Sequence, residues 1–421
     1  MASYGPWTVP GLHLQSAPAM HRPCPPTPTP CPSVLHISGR SDHGGGPEHI
    51  LQVINASLGV RHHIACPDDG VYWRRYRDHL GPDRLCPLPH RSVSLRSFLR
   101  LRSFATANTI AVIHSHGTCA GAYGRILGFS LGVPVIHSFH GVPVTNSLKH
   151  SLYGLAERVL GRMTHCGVAV SAGEADLVHQ RWQHYRGKLA VVPNGIDLGG
   201  ARPEWTPWPA KGPLRIVSFT RRNHQKHPEL LVEIARVLSL QNLDFRIDAY
   251  GEGLARSDLG TAAFRRGVAQ RLHFHPPTDA PAAVLAGAHI YLSTSRWEGM
   301  PLAVLEAWRS GLVVVASDVV GNRDLVRDGR SGRLFPAGDG RAAARIIRDL
   351  ANDAVAADQL RHRAARLAQI GHCRNLMALR LEWLYHHLAE GGLQEDLVAR
   401  ESWPTGSQPT DEASSARLRV V

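Results

Sequence analysis

Apolar positions in this chain form short uninterrupted runs, separated by stretches where they recur every three or four residues. Val34–Ser38 is the first run. It ends at Gly39 and leads through Gly44-Gly45-Gly46-Pro47 into a helical pattern over Glu48–Leu58. Strand-like runs recur at Thr109–His114, Pro134–Phe139 and Val168–Ser171, with helical periodicity at Gly121–Leu131 and Ser147–Met163. Val191–Asp197 closes this half, and Pro207–Gly212 has the composition of a linker. The pattern then restarts. Leu214–Phe219, Phe245–Tyr250, Ile290–Ser293, Val313–Ala316 and Gly332–Phe335 read as strands. Pro228–Leu240 reads as an amphipathic helix with proline at its first position, and Arg361–Leu388 as a last helical stretch. Short buried runs alternating with helices predict mostly parallel sheets covered on both faces. The expected fold class is α/β, with two doubly wound Rossmann-like domains facing a cleft. A ligand would lie there, at the carboxyl ends of the strands.

The expected divisions are a disordered Pro-rich leader at 1–32, an N-terminal domain at 33–206, a linker at 207–212 and a C-terminal domain at 213–370. A helix at 371–390 is expected to cross back to the first domain, and a polar, disordered tail fills 391–421. A chain of 421 residues agrees with two cores rather than one. No stretch reaches the roughly 18 apolar residues of a membrane span. The N-terminus lacks the basic start and apolar core of a signal peptide, and Met20 is an alternative start. The seven cysteines are scattered, with no Cys-x-x-Cys pair, which argues for a reducing compartment and against structural zinc. The formal charge is +13, mostly arginine and spread over both halves. Without a zinc-finger or RNA-binding signature it points to anionic substrates or an anionic membrane surface, not to nucleic acid.

The chemistry concentrates in Ser293–Glu306. Glu298 and Glu306 flank a Gly299-Met300-Pro301 turn, and Pro301 fits the first position of a helix. That places Glu298 on a loop and Glu306 inside the helix, beside the free N–H groups and positive dipole end that suit a phosphate. Two carboxylates next to an anion site fit an anion that carries hydroxyls, which is to say a nucleotide-sugar. Arg221 and Lys226 follow the strand Leu214–Phe219 and could clamp a diphosphate, the arginine as a fork and the lysine as a point charge. Arg222 is a rival for Arg221. No Asp-x-Asp motif appears, so neither a metal-held diphosphate nor any cofactor is expected. His140 lies at a strand end before Gly141, and His116 at the neighbouring strand end. With 26 histidines in the chain, position singles these two out. Arg91–Ala107 holds four arginines and no acid. Leu95, Phe98, Leu99 and Leu101 would form its apolar stripe, facing either the sheet or an anionic lipid surface.

The segment Trp-Glu-Gly-Met-Pro-Leu-x-x-Leu-Glu-Ala closely resembles the donor-binding signature of family 4 glycosyltransferases, retaining enzymes of the GT-B fold. The resemblance covers about Val34 to Leu388, strongly in the second half and by layout and short motifs in the first. It implies that Glu298 contacts the hydroxyls of the transferred sugar and Glu306 the ribose. Gly299, Met300, Pro301 and Leu302 would offer backbone amides to sugar and phosphate, with Gly321 after the next strand. His140 would approach the donor sugar, Gly44 and Gly45 would form the loop near the reacting sugar, and Asn194-Gly195-Ile196-Asp197 matches a motif at the end of the first domain. Three positions depart from the pattern: Thr220 and His227 stand where glycines usually flank the Arg-Lys pair, and Pro47 where a small residue more often precedes the glutamate. The implied activity is retaining sugar transfer from a UDP- or GDP-sugar to a glycan or lipid-linked acceptor. Bacterial-type cell-surface polysaccharide or glycolipid synthesis is the expected setting, in the cytoplasm by the cysteine usage, with the basic charge and Arg91–Ala107 as the grounds for expecting peripheral contact with an anionic inner membrane face. A sugar-nucleotide epimerase and a degenerate basic binding protein are the alternatives.

Overall fold

The computed structural model describes residues 31–143, 148–199, 205–209 and 212–392. The Pro-rich leader, part of the 207–212 linker and nearly all of the polar tail lie outside them. The first sheet is built from β1 (Ser33–Ser38), β2 (Arg61–Cys66), β3 (Leu85–Pro87), β4 (Val112–His116), β5 (Val135–Ser138), β6 (Cys166–Ala169) and β7 (Leu189–Val191). Its helices are α1 (Gly45–Ala56), α2 (Val71–Leu80), α3 (Leu95–Ala107), α4 (Thr118–Leu131), α5 (Leu148–Leu160) and α6 (Ala172–Arg181). All strand pairings are parallel, in the order β3-β2-β1-β4-β5-β6-β7.

The second sheet holds β8 (Leu214–Phe219), β9 (Phe245–Tyr250), β10 (Leu272–His275), β11 (Ile290–Ser293), β12 (Val313–Ser317) and β13 (Arg333–Phe335). It is also parallel, in the order β10-β9-β8-β11-β12-β13. Its helices are α7 (Glu229–Leu240), α8 (Leu259–Arg265), α9 (Pro281–Ala286), α10 (Leu302–Arg309), α11 (Val320–Leu325), α12 (Gly340–Ala351) and α13 (Ala354–Gly371). The last helix, α14 (Arg374–Ala389), packs against α1 and β4 of the first sheet. Met377, Leu381, Leu384, Tyr385 and Leu388 are buried there beside Val34, Val53 and Val112.

Both sheets reverse their strand order once, between β1 and β4 and between β8 and β11. Such switch points open a crevice at the carboxyl ends of the strands. The chain crosses between the sheets twice, and the crossings are hydrogen-bonded to each other. Ile196 N–H donates to His372 C=O at 2.9 Å, and Arg374 N–H to Ile196 C=O at 2.8 Å.

Several expectations need correction. Pro301 and Pro228 each stand one residue before their helix rather than at its first position. Pro301 is extended, with ψ 117°, so the helix begins at Leu302. Gly45, Gly46 and Pro47 belong to the first turn of α1, not to a loop. The strand expected from Thr109 begins at Val112, because Asn108, Thr109 and Ile110 donate back to α3 and close it. The stretch Arg361–Leu388 is two helices, broken at His372 and Cys373. The stripe expected on α3 divides. Leu101 is fully buried and Phe98 packs on the core, whereas Leu95 is 74% and Leu99 53% exposed. The six described cysteines are all unpaired. Among the described residues no helix is long and apolar enough to cross a membrane.

Candidate active site

Both switch points carry the residues singled out above. In the second domain the loop after β8 holds Arg221 and Lys226, and the loop after β11 holds Glu298. The two loops are knitted together. Thr294 Oγ1 donates to Lys226 C=O at 2.9 Å, Arg296 N–H to Gln225 C=O at 2.7 Å, and Gln225 Nε2 to Trp297 C=O at 3.1 Å. They bring Lys226 Nζ to 2.5 Å from Glu298 Oε1, and Ser295 Oγ donates to the same oxygen at 2.6 Å. Glu298 is only 8% exposed, and a buried carboxylate needs such compensation. Both contacts fall on Oε1, so Oε2 makes no hydrogen bond to the described residues.

Arg221 and Arg222 differ in their partners. Arg222 pairs with Asp258 and, at 3.4 Å, with Glu229. Arg221 turns toward the first domain. A Cβ on Gly44 would lie 3.1 Å from its Nη2, and its Nη1 is buried with no hydrogen-bond partner. An orphaned guanidinium donor at the start of α1 is a receptor for an anion. His227 adopts φ 47°, the left-handed region, which is the conformation a glycine takes without strain.

Three backbone segments meet behind Glu298. A Cβ on Gly321, in α11, would collide with the Gly299 carbonyl, and one on Gly299 would meet Gly141 N at 2.8 Å. Gly141 follows His140, which itself holds φ 57°. This loop is anchored by Glu174 of α6, fully buried, whose carboxylate accepts from the N–H groups of Gly141 and, at 2.8 Å, of Val170. Burial pushes Glu174 up to about 7, against these hydrogen bonds.

Glu306 lies in the second turn of α10, half-buried, with no hydrogen-bond partner among the described residues. Burial, with the charge of Glu48 adding to it and Arg309 opposing, pushes its carboxyl up to about 8. Glu48, on α1, is held by Gln52 Nε2 at 2.5 Å and by the Tyr72 hydroxyl at 2.6 Å.

In the first domain His140 and His116 belong to a larger array. Ring nitrogens of His62 and His36 lie 3.0 Å apart, those of His36 and His116 3.1 Å, and those of His116 and His140 3.0 Å. The His114 ring lies tilted against His116, with centroids 4.0 Å apart, and bonds the Tyr385 hydroxyl at 2.7 Å and Ser138 Oγ at 2.8 Å. Burial lowers all five well below the ordinary imidazole range, and neighbouring histidines push His36, His114, His116 and His140 further. They are neutral at pH 7. His49, on α1, is pushed by burial to about 4. Its Nδ1 lies 2.9 Å from Asn194 Oδ1, and Asn194 Nδ2 donates to Met300 C=O at 2.7 Å. Asn194 thus ties the Gly299-Met300-Pro301 turn to α1.

The structure brings Glu298, Lys226, Gly299, Met300, Pro301 and Gly321 together around the β11 loop, and Gly44 against Arg221. Gly45 opens α1, and no heavy atom lies within 4 Å of a Cβ built on it. Leu302 is buried in the core beneath α10 rather than open to the cleft. Sequence reasoning missed Glu174, Ser295, His49 and the bridging role of Asn194. Ser171-x-x-Glu174 carries a capping-box spacing that was open to reading; the other three had no local signal.

Comparison with known proteins adds the chemistry. The profile "Glycosyltransferase Family 4" matches residues 43–199, and "Glycosyl transferases group 1" matches residues 214–353. The chain is 28% identical over 284 residues to the D-inositol 3-phosphate glycosyltransferase of Streptomyces avermitilis, a match spanning 61% of each chain. It thus spans less than two thirds of that relative. It is 26% identical over 272 residues to the UDP-Gal:alpha-D-GlcNAc-diphosphoundecaprenol alpha-1,3-galactosyltransferase of Escherichia coli, over 59% of this chain and 69% of that one. The solved structure of Anabaena HepE with UDP and glucose superposes with a TM-score of 0.72 at 17% identity. It covers 84% of this chain and 99% of that one, a likeness of fold.

Proposed function

Because the chain belongs to the family 4, group 1 glycosyltransferases of GT-B fold, we propose that it moves a hexose from a UDP-sugar to an acceptor hydroxyl with retention of configuration. The observation that carries this is the Lys226–Glu298 pair, set beside an orphaned Arg221 and an unpartnered Glu306. The uridine diphosphate is favoured over guanosine by the Escherichia coli relative's UDP-Gal and the UDP complexes of HepE. The diphosphate would lie on Arg221, Lys226 and the start of α10, without a metal. Ribose hydroxyls would bond Glu306. Sugar hydroxyls would bond the open Oε2 of Glu298, and His140 would approach the sugar from the first domain. As the sugar–phosphate bond breaks, negative charge grows on the phosphate beside two preplaced cations. Such preorganised charge contributes several kcal/mol to lowering a barrier. The acceptor hydroxyl attacks the same face and its proton passes to the departing phosphate.

The proposed acceptor is a glycan or lipid-diphosphate-linked sugar of cell-surface polysaccharide or glycolipid synthesis, used in the cytoplasm at the inner membrane face. Exposed Leu95 and Leu99 with Arg96, Arg100 and Arg102 on α3 support that placement. The test is a thermal-shift panel of UDP, GDP, ADP and their sugar conjugates on wild type and Glu306→Ala. Stabilisation by UDP species alone, lost in the variant, is expected. Stabilisation by GDP or ADP species instead would overturn the donor. No stabilisation by any would overturn the site. Flotation on anionic liposomes should fall for Arg96/Arg100/Arg102→Glu, and equal flotation would remove the membrane contact.

A further inference from the structure

We propose that His49, His116 and His140 form a binding site for a divalent transition-metal cation of the zinc class, and that the bound ion withdraws His140 from the cleft. The three ring nitrogens lie within 4.8 Å of one another. Two of them, on His116 and His140, are already 3.0 Å apart. A tetrahedral zinc with N ligands at 2.0–2.1 Å sets its nitrogens roughly 3.3 Å apart, so drawing them onto one ion takes a modest closing movement.

The donor atoms can be assigned from the hydrogen bonds. Asn194 Nδ2 donates to Met300 C=O, so Oδ1 faces His49 and must accept. His49 therefore carries its proton on Nδ1, and Nε2 carries the lone pair. That Nε2 is buried and has no partner. Metal-bound histidines commonly donate their other N–H in this way, which fixes ring orientation and raises basicity. His116 has the same support. When Nδ1 takes the metal, Nε2–H points to His36, whose far nitrogen reaches His62. Ion binding breaks the His116–His140 hydrogen bond, and its proton moves to the far nitrogen of one of the two rings. All three imidazoles stay neutral and no proton has to leave.

A second triad, His36, His114 and His116, has nitrogens equally close. It is the poorer choice. Both nitrogens of His36 and both of His114 are already hydrogen-bonded, so an ion there would break at least two contacts. The first triad breaks one and gives a partner to an orphan. Three protein nitrogens leave a fourth position open. It would face the cleft, since His140 adjoins Gly141 and Gly141 abuts Gly299 beside Glu298. The chain has no Asp-x-Asp to hold a metal at the diphosphate, so this ion would sit on histidine and compete with sugar contact rather than assist it.

The binding claim stands apart from the transferase reading; only the inhibition rests on it. The experiment titrates Zn²⁺ into the tag-free full chain, stripped with EDTA and dialysed, by calorimetry, and follows the visible absorption of Co²⁺. One ion per chain is expected, with affinity at least tenfold weaker in His49→Gln and in His116→Gln and unchanged in His114→Gln. If His116→Gln does not fold, His49→Gln decides. No stoichiometric binding to wild type overturns the proposal, as does equal binding by the folded variants, the result surface histidines would give. Loss in His114→Gln and His116→Gln with binding kept in His49→Gln would move the ion to the second triad and overturn this one. Sugar transfer, where measured, should fall with one equivalent of Zn²⁺ and return with EDTA.

Discussion

Glu306 carries its proton at neutral pH, because burial and Glu48 raise its carboxyl to about 8. A ribose that donates to a carboxylate must displace that proton. UDP binding at pH 7 should therefore release close to one proton per site, read from calorimetry in two buffers of different ionisation heat. No release would mean that the carboxyl stays protonated and acts as a donor. The same shift works against the fold at high pH. The folded value lies above the ordinary 4.5, so its contribution is complete below that value and lost as pH rises through about 8. At Lys226 one substitution removes the counter-charge of a buried carboxylate and, in the proposed reaction, a cation beside the leaving phosphate. Lys226→Ala should lower kcat by roughly 10²–10³ and lower Tm as well. Unchanged kinetics would remove Lys226 from the site. His227 holds φ 47°, a left-handed backbone that glycine adopts without strain. His227→Gly should leave Tm unchanged or slightly raised, since about 1 kcal/mol of left-handed strain offsets glycine's added chain entropy. A clear fall in Tm would show that the imidazole contributes more than the strain costs.

At the scale of elements, α14 is a part of the first domain supplied from the end of the chain. Five of its side chains are buried against β1, β4 and α1, and each is worth about 1.5–3 kcal/mol as an upper value. A chain cut before Arg374 should not yield a folded first domain. A cooperative transition at the wild-type Tm in the truncated chain would refute this. The strands that sequence reading placed correctly, β8, β9 and β11, are continuous apolar or alternating runs, and their packing agrees with their local pattern. β2 was missed for a physical reason. Arg61-His62-His63-Ile64-Ala65-Cys66 looks polar, yet five of its six residues are buried, because His62 spends its nitrogen on His36 rather than on water. Short β3 and β7 carry too few residues to show a period, and half of β10, Leu272-His273-Phe274-His275, is histidine. The site was legible where a turn dictated residue types, as at Glu298–Pro301, and illegible where partners come from distant strands. Nothing near Asn194 announces that it will bridge His49 and Met300.

For the molecule as a whole, the histidine array sets the acid limit. His36, His49, His62, His114, His116, His137 and His140 are all held neutral by burial. Their folded values lie below the ordinary 6.5, so the unfolded chain binds more protons in acid and stability rises with pH through that window. Each such group contributes up to about 1.4 kcal/mol per pH unit. Seven of them outweigh the opposite effect of Glu174 and Glu306. In EDTA, Tm should fall steeply from pH 6.5 to pH 4.5, and an equal Tm at pH 5 and pH 7 would show that the array is not buried in solution.

The paired crossings at Ile196 and Cys373 make the second domain an insertion into the first. Its entry and exit strands touch, held by two backbone hydrogen bonds. The second domain could therefore be lifted out or exchanged by cutting at these two adjacent points, with the scaffold closed by a turn of a few residues. Under the proposed function, such an exchange would change the sugar that is delivered while leaving intact the surface that chooses what receives it.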